Sequence, residues 1–239
     1  MQVTIWGYNR EGALGNTLFK NYRLINKSTT RFDSLVVCQW VDYDLGYCCD
    51  DLGGCDTTLH MGYGYNGSAV DLMYEPLTPP AIGFQILSPP MTACFTKYTG
   101  SFFSDPPFGR PEGARQWFNW MQGLLPQTGA SFIHPSMPNQ PTRFWMDGDP
   151  VANTGRLDLA VSRSPGDRRM GPSIGPFTLL PGQSRDVAIA AASGIGWSNI
   201  ASVAILRGYA RAARTMYEGI TASAPPIFSA RVSYPNATQ

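Results

Sequence analysis

Charge is what this sequence has least of. Charged residues make up 15% of its 239 residues and the net charge is +1, which argues against a general nucleic-acid binder. Bases are missing altogether between Arg31 and Lys97. No run approaches the roughly 20 apolar residues of a membrane-spanning helix. The opening "MQVTIWGYNREG" has neither a basic n-region nor an apolar h-region, so it does not read as a signal peptide. It reads as a strand already under way, and the chain is expected to be part of something longer. There is no C-x-x-C, and the two histidines, His60 and His134, are far apart, which excludes a structural zinc site. The G-x-S-x-G and H-E-x-x-H signatures of common hydrolases are absent, and no carboxylate pair stands out among Glu75, Glu112, Glu218 and the aspartates.

Turn-forming residues are abundant: 25 glycines and 20 prolines. With 43% hydrophobic residues the chain can bury a sizeable core, and many turns with few charged faces point to short strands joined by loops. Strand-like runs occupy 3–8, 16–26, 33–41, 81–87, 142–148, 156–162, 175–180 and 184–192. The polar "NKSTTR" between the second and third runs predicts a hairpin, and Pro181-Gly182 suits a type II turn. Helices are expected over 113–125 and 198–219. In the second, Ser198 can cap the start, and Ile200, Val203, Leu206, Ala210, Ala213 and Tyr217 step by three and four. The expected fold is mainly β: a two-sheet β-sandwich, immunoglobulin-like or jelly-roll-like, with long loops and a C-terminal helix. One domain should fill residues 1–224, followed by an extended tail, 225–239, able to close a sheet edge or be donated to a neighbour.

The base-free interval holds eight acids: Asp33, Asp42, Asp44, Asp50, Asp51, Asp56, Asp71 and Glu75. Nine acids and eighteen bases remain elsewhere, so the interval must either meet the basic remainder through ion pairs or hold a cation. Five of these acids crowd into "DYDLGYCCDDLGGCD", residues 42–56. A hard cation such as Ca2+ takes six to eight oxygens from carboxylates and backbone carbonyls on a flexible loop. Asp42, Asp44, Asp50, Asp51 and Asp56 are the expected ligands, with Gly46, Gly53 and Gly54 turning the backbone. The spacing is not that of an EF-hand, whose twelfth position would fall on Gly53. "GYGYNG", 62–67, matches G-x-G-x-x-G, but prolines stand where the following helix should run, so it reads as a glycine turn packed with aromatics. "SPGDRRMG", 164–171, sets Asp167 beside Arg168 and Arg169, a structural ion pair or a partner for the acidic interval.

Five cysteines are an odd number, so at least one stays free of any pairing within the chain. In an oxidising compartment Cys48 or Cys49 could bond to Cys55 or Cys94, and sequence does not choose among the pairings. Sequons stand at Asn26, Asn66 and Asn236.

The blocks "NKSTTRFDSLVVCQWVDYDLGYCCDDLGGCDTTLHMGYGYNG", "PPAIGFQIL", "FNWMQGLL", "TRFWMDGDPVANTG" and "PGDRRMGPSIGPFTLLPGQSRDVAIA", with the helix from Ser198, resemble a module of large secreted proteins from bacteria with type IX secretion. The resemblance spans roughly residues 5–218, and the Asp42–Asp56 block is its most specific part. It implies export, a β-sandwich-like core and a cation loop, and it does not imply an enzyme. Here Tyr47-Cys48-Cys49 replaces small or polar residues, and the second acidic cluster is reduced to Asn66, Ser68 and Asp71. The resulting expectation is a non-enzymatic extracellular or cell-surface module, structural or adhesive, with a structural Ca2+. It would associate with itself or with other surface proteins, and self-assembly into a filament through terminal strands is a further expectation. A carbohydrate-binding module is the alternative, since six Trp and eleven Tyr offer stacking faces for glycans. A glycan-processing hydrolase ranks third.

Overall fold

The computed structural model describes residues 1–97 and 105–222. Its strands in chain order are β1 (Gln2–Gly7), β2 (Thr17–Ile25), β3 (Phe32–Cys38), β4 (Val41–Tyr43), β5 (Asp51–Asp56), β6 (Met61–Asn66), β7 (Ala81–Ser88), β8 (Ala93–Lys97), β9 (Phe132–Ile133), β10 (Pro141–Thr142), β11 (Arg168–Leu179) and β12 (Ser184–Gly194). The helices are α1 (Pro111–Met121), α2 (Leu159–Ser162) and α3 (Asn199–Ala222).

Two antiparallel sheets face each other, as the mainly-β reading expects. The larger runs β1-β2-β12-β7-β6-β5. In the smaller, β11 pairs with β3 and β4 along one edge and with β8 along the other. Strand β12 shows why the large sheet lies in the middle of the molecule. Val187 and Ile189 enter the core shared with β11 and β8, while Ala188, Ala190 and Ala192 lie under α3. Alternate residues thus bury both faces, and the small alanine row lets the helix lie close. Leu206, Ala210 and Ala213 of α3 complete that side, and Ser198 Oγ caps the helix by accepting the Ala201 N–H at 3.0 Å. On the far side of the small sheet, α1 and the irregular segments after it cover an aromatic core of Phe95, Trp120, Phe132 and Trp145. The order of layers is therefore helix, small sheet, large sheet, helix.

Several expectations about local structure are corrected. The run 33–41 divides into β3 and the start of β4, and β3 does not form a hairpin with the preceding strand: β2 belongs to the large sheet and β3 to the small one. Strands β11 and β12 likewise change sheets across Pro181-Gly182, where Gly182 has φ +77° and the Gln183 N–H reaches the Leu180 carbonyl at 3.0 Å. Asn26 ties the two crossings together. Its Nδ2 donates to the carbonyls of Thr30 and Leu179, and its Oδ1 accepts from Ser28. The run 142–148 yields only the end of β10 and one isolated bridge at Phe144, and 156–162 contains the one-turn helix α2. Residues 51–56 and 61–66, read as loop and glycine turn, are the buried strands β5 and β6. On β6, Tyr63 and Tyr65 pack under α3. Gly62 and Gly64 face the small sheet, where a Cβ on Gly64 would lie 2.2 Å from the Tyr43 ring. These glycines are where the layers touch.

Candidate functional site

One end of the sandwich gathers the acidic interval. There β5 begins at Asp51 opposite Asn66, β7 begins at Ala81, β12 ends at Gly194 opposite Ala81, and Asn199 at the start of α3 donates to the Asn66 carbonyl at 2.7 Å. The connections that project from this Asn66 end include residues 44–50, 67–80 and 195–198, as well as 8–16.

The five aspartates expected to share a cation do not converge. Asp42 and Asp44 lie at the end of β4, and there Asp167 joins them from the segment entering β11. One carboxylate oxygen from each lies within 4.8 Å of the other two. Arg169 spans part of this triplet, its Nε 3.0 Å from Asp42 Oδ2 and its Nη1 2.8 Å from Asp167 Oδ2. Three carboxylates against one guanidinium leave an excess of negative charge that a cation would relieve. The triplet offers one ligand oxygen per residue for such an ion, in the carboxylate chemistry that Ca2+ takes.

Asp50 belongs to a neighbouring group built on Asn66 and Asp71. Asn66 Nδ2 donates to Asp50 Oδ1 at 2.9 Å and to Asp71 Oδ2 at 3.3 Å. Asp71 in turn accepts the backbone N–H of Tyr47 and of Met73 at 2.9 and 2.7 Å. Its carboxylate fills the place of a side chain at Gly46, whose φ is +87°. The 44–50 and 67–80 connections are thus locked by hydrogen bonds. Burial raises the pKa of Asp50, and the Asp71 charge adds to this.

Asp51 is enclosed. Its Oδ2 accepts the Leu45 N–H at 3.0 Å, and its Oδ1 has no hydrogen-bond partner. Burial, reinforced by the charges of Asp50 and Asp44, pushes its pKa up to about 7. Asp56 lies at the opposite end of β5, about 17 Å along the strand from Asp51 by strand geometry. There it accepts the Leu59 N–H at 2.9 Å and pairs with Arg207 of α3 at 3.2 Å. The acidic interval therefore meets the basic remainder through ion pairs and still leaves one carboxylate cluster at the surface.

The cysteines and sequons need correction too. All five cysteines are free thiols. Cys55 and Cys94 meet in the core between the sheets, where burial and then the neighbouring thiol raise the pKa of Cys55. Cys48 and Cys49 are exposed on the 44–50 connection with sulfurs 2.7 Å apart, away from that core. The Cys48 thiol is pushed up to about 11 by the Cys49 contact, with smaller effects of Asp44 and Asp167. Asn26 and Asn66 are each 2% exposed or less, and both side-chain amides are engaged inside the protein, so neither can carry a glycan in this fold. Asn236 lies outside the described residues.

Sequence reasoning missed Asp167 as a partner of Asp42 and Asp44. The Asp-Arg-Arg run marked it, but only as a counter-ion. It also missed Asp158, which is buried, accepts the Gly53 N–H at 2.7 Å and pairs with buried Arg168 at 2.8 Å. His134 is equally structural: its Nε2 lies 3.0 Å from the Leu157 carbonyl and its Nδ1 2.8 Å from Ser136 Oγ.

The connections at the Asn66 end also expose large apolar side chains. Trp197 is 86% exposed and Leu72 83%, and Tyr47, Val70, Met73, Leu77 and Ile195 are each at least half exposed. Acids flank them: Asp42, Asp44, Asp50, Glu75 and Asp167. No family model matches the chain, and no curated protein matches it.

Proposed function

We propose that this chain is a non-enzymatic adhesive module of a secreted or cell-surface protein, binding its partner with the Asn66 end and holding a structural Ca2+ there at Asp42, Asp44 and Asp167. The observation behind this reading is the concentration of seven exposed apolar side chains on three adjoining connections, beside that carboxylate triplet. Exposed apolar surface rimmed by polar groups is what a binding site needs, and loops held by a rigid sandwich are where such sites sit. The Asp71 hydrogen bonds already fix two of the three connections. A cation on Asp42, Asp44 and Asp167 would add a further clamp, joining the end of β4 to the start of β11. Export, and with it access to the high Ca2+ of extracellular fluids, rests on the resemblance to modules of type IX-secreted proteins.

Carbohydrate binding is the second reading, favoured by Trp197, whose exposed indole offers a stacking face. Beads coated with the full chain separate the possibilities. In Ca2+ they should clump or be retained on protein-coated surfaces, and chelator or the pair Leu72→Ser and Trp197→Ala should abolish this. Retention confined to a polysaccharide panel and lost with Trp197→Ala alone would favour the second reading. Beads that bind nothing, with or without Ca2+, would contradict both.

A further inference from the structure

Adjacent residues on a strand send their side chains to opposite faces, so neighbouring cysteines there keep their sulfurs apart. Cys48 and Cys49 are not on a strand. They occupy a turn in the 44–50 connection, with both side chains exposed and their sulfurs 2.7 Å apart. The turn is held from both ends. Ahead of the pair, the Leu45 N–H bonds to Asp51 at 3.0 Å and the Tyr47 N–H to Asp71 at 2.9 Å. Directly after it, the Asp50 side chain accepts the Asn66 amide at 2.9 Å and the Asp50 carbonyl accepts the Gly67 N–H at 2.7 Å. The backbone on either side is thus fixed, and the two sulfurs are brought together before any reaction.

No other thiol competes for either sulfur. Cys55 and Cys94 are each 1% exposed in the core between the sheets, and Cys38 is part-buried against the aromatic core. Residues 98–104 and the tail from 223, with the expected donated strand 225–239, lie outside the described residues and contain no cysteine. A reagent in solution therefore meets Cys48 and Cys49 together.

We propose that Cys48 and Cys49 are a redox modification site whose reactant is a low-molecular-weight disulfide, RSSR. One cysteine thiolate attacks the reagent, forming a mixed disulfide and releasing RS−. The second cysteine loses its proton and attacks the protein sulfur of that mixed disulfide, which joins the two cysteines and releases a second RS−. Two electrons pass from the pair to the reagent, and the two thiol protons leave as two RSH. The bond is a reversible one. Consecutive Cα atoms stand about 3.8 Å apart across a trans peptide, whereas unstrained disulfides bridge roughly 4.4–6.8 Å. Strained and exposed disulfides are the readily reduced ones. While closed, the small ring stiffens the turn beside exposed Tyr47. Any effect on partner binding rests on the adhesive reading of the Asn66 end, whereas the thiol chemistry stands on the turn alone.

Mass spectrometry of the full chain, treated while folded with oxidised glutathione and then alkylated, tests this. The Cys48 thiol, held up at about 11, makes exchange slow at neutral pH, so the reaction is run in mild alkali. The wild type should lose two hydrogens, with the bond mapped to the peptide holding Cys48 and Cys49. Its mixed disulfide with glutathione should stay below about a tenth of the protein, because the neighbouring thiol displaces it. Cys48→Ser and Cys49→Ser should each gain one glutathione and keep it. Reduced glutathione should reopen the wild-type bond while circular dichroism shows the fold intact. Two glutathiones kept on the wild type, a bond from either residue to Cys55 or Cys94, or a dimer linked through either residue would overturn the proposal. So would thiols that do not react, or a bond that only unfolding makes reducible. The readout is covalent mass, so beads that bind no partner leave this site standing, and a missing bond leaves the adhesive reading standing.

Discussion

Asp51 shows how a single side chain can set a pH dependence. Its carboxyl sits in the folded protein with a pKa near 7, against about 3.9 in an unfolded chain. Between those values the folded state holds the proton more tightly. The contribution to stability is therefore complete below about pH 4 and is lost as pH rises through 7. Asp149 and Asp186, whose pKa values are lowered by Arg207 and Arg23, act in the opposite sense and only below about pH 4. His60 and His134, depressed by burial, also oppose Asp51 near pH 6, so the comparison must be with a variant. Asp51→Asn keeps an acceptor for the Leu45 N–H and removes the buried charge. Its unfolding free energy should exceed that of the wild type by on the order of 1–3 kcal/mol at pH 8 and by much less at pH 5. Urea unfolding at the two pH values reads this directly. Nothing in the sequence distinguishes Asp51 from Asp50. Only strand pairing decides that one points inward and its neighbour bonds to Asn66.

At the scale of elements, legibility followed the hydrophobic period. Strands β1, β2, β3, β7 and β12 and both long helices announce themselves through alternation or three-four spacing. Strands β5 and β6 do not, because glycine occupies their inward positions. In "DLGGCD" and "MGYGYN" the glycines signal turns when read alone, but the Tyr43 and Tyr63 rings fill the space that side chains at Gly64 and Gly54 would take. A partner on the neighbouring strand or in the facing sheet is invisible to local pattern. Gly64→Ala should therefore cost about 1–3 kcal/mol or more by overpacking, with the thermal midpoint falling while the secondary structure seen by circular dichroism is retained. The same blindness explains the expected hairpin at "NKSTTR". Its turn chemistry is real, but Asn26 uses it to carry the chain from one sheet to the other. The helical cap at Ser198 was legible because capping is local.

For the whole molecule, the charge map was the most informative feature of the sequence, and it had two meanings at once. A base-free interval in a chain with eighteen bases implied long-range ion pairs, and these are present: Asp42 with Arg169 and Asp56 with Arg207. It also implied a cation site, and the carboxylates that the fold gathers closely enough to hold one are Asp42, Asp44 and Asp167 rather than all five aspartates of one loop. Because Asp56 and Asp167 exchange roles between the two readings, a single comparison separates them. Thermal unfolding of the wild type, Asp56→Asn and Asp167→Asn should be followed in Ca2+ and in chelator. At a hundredfold excess over its dissociation constant, a bound ion adds about 2.7 kcal/mol, or roughly 5–10 °C for a chain of this size. That shift is expected for the wild type and for Asp56→Asn, whatever the lost Arg207 pair does to their common baseline, and it should vanish in Asp167→Asn. A midpoint indifferent to Ca2+ in the wild type, or a shift that survives Asp167→Asn and disappears with Asp56→Asn, would contradict the assignment.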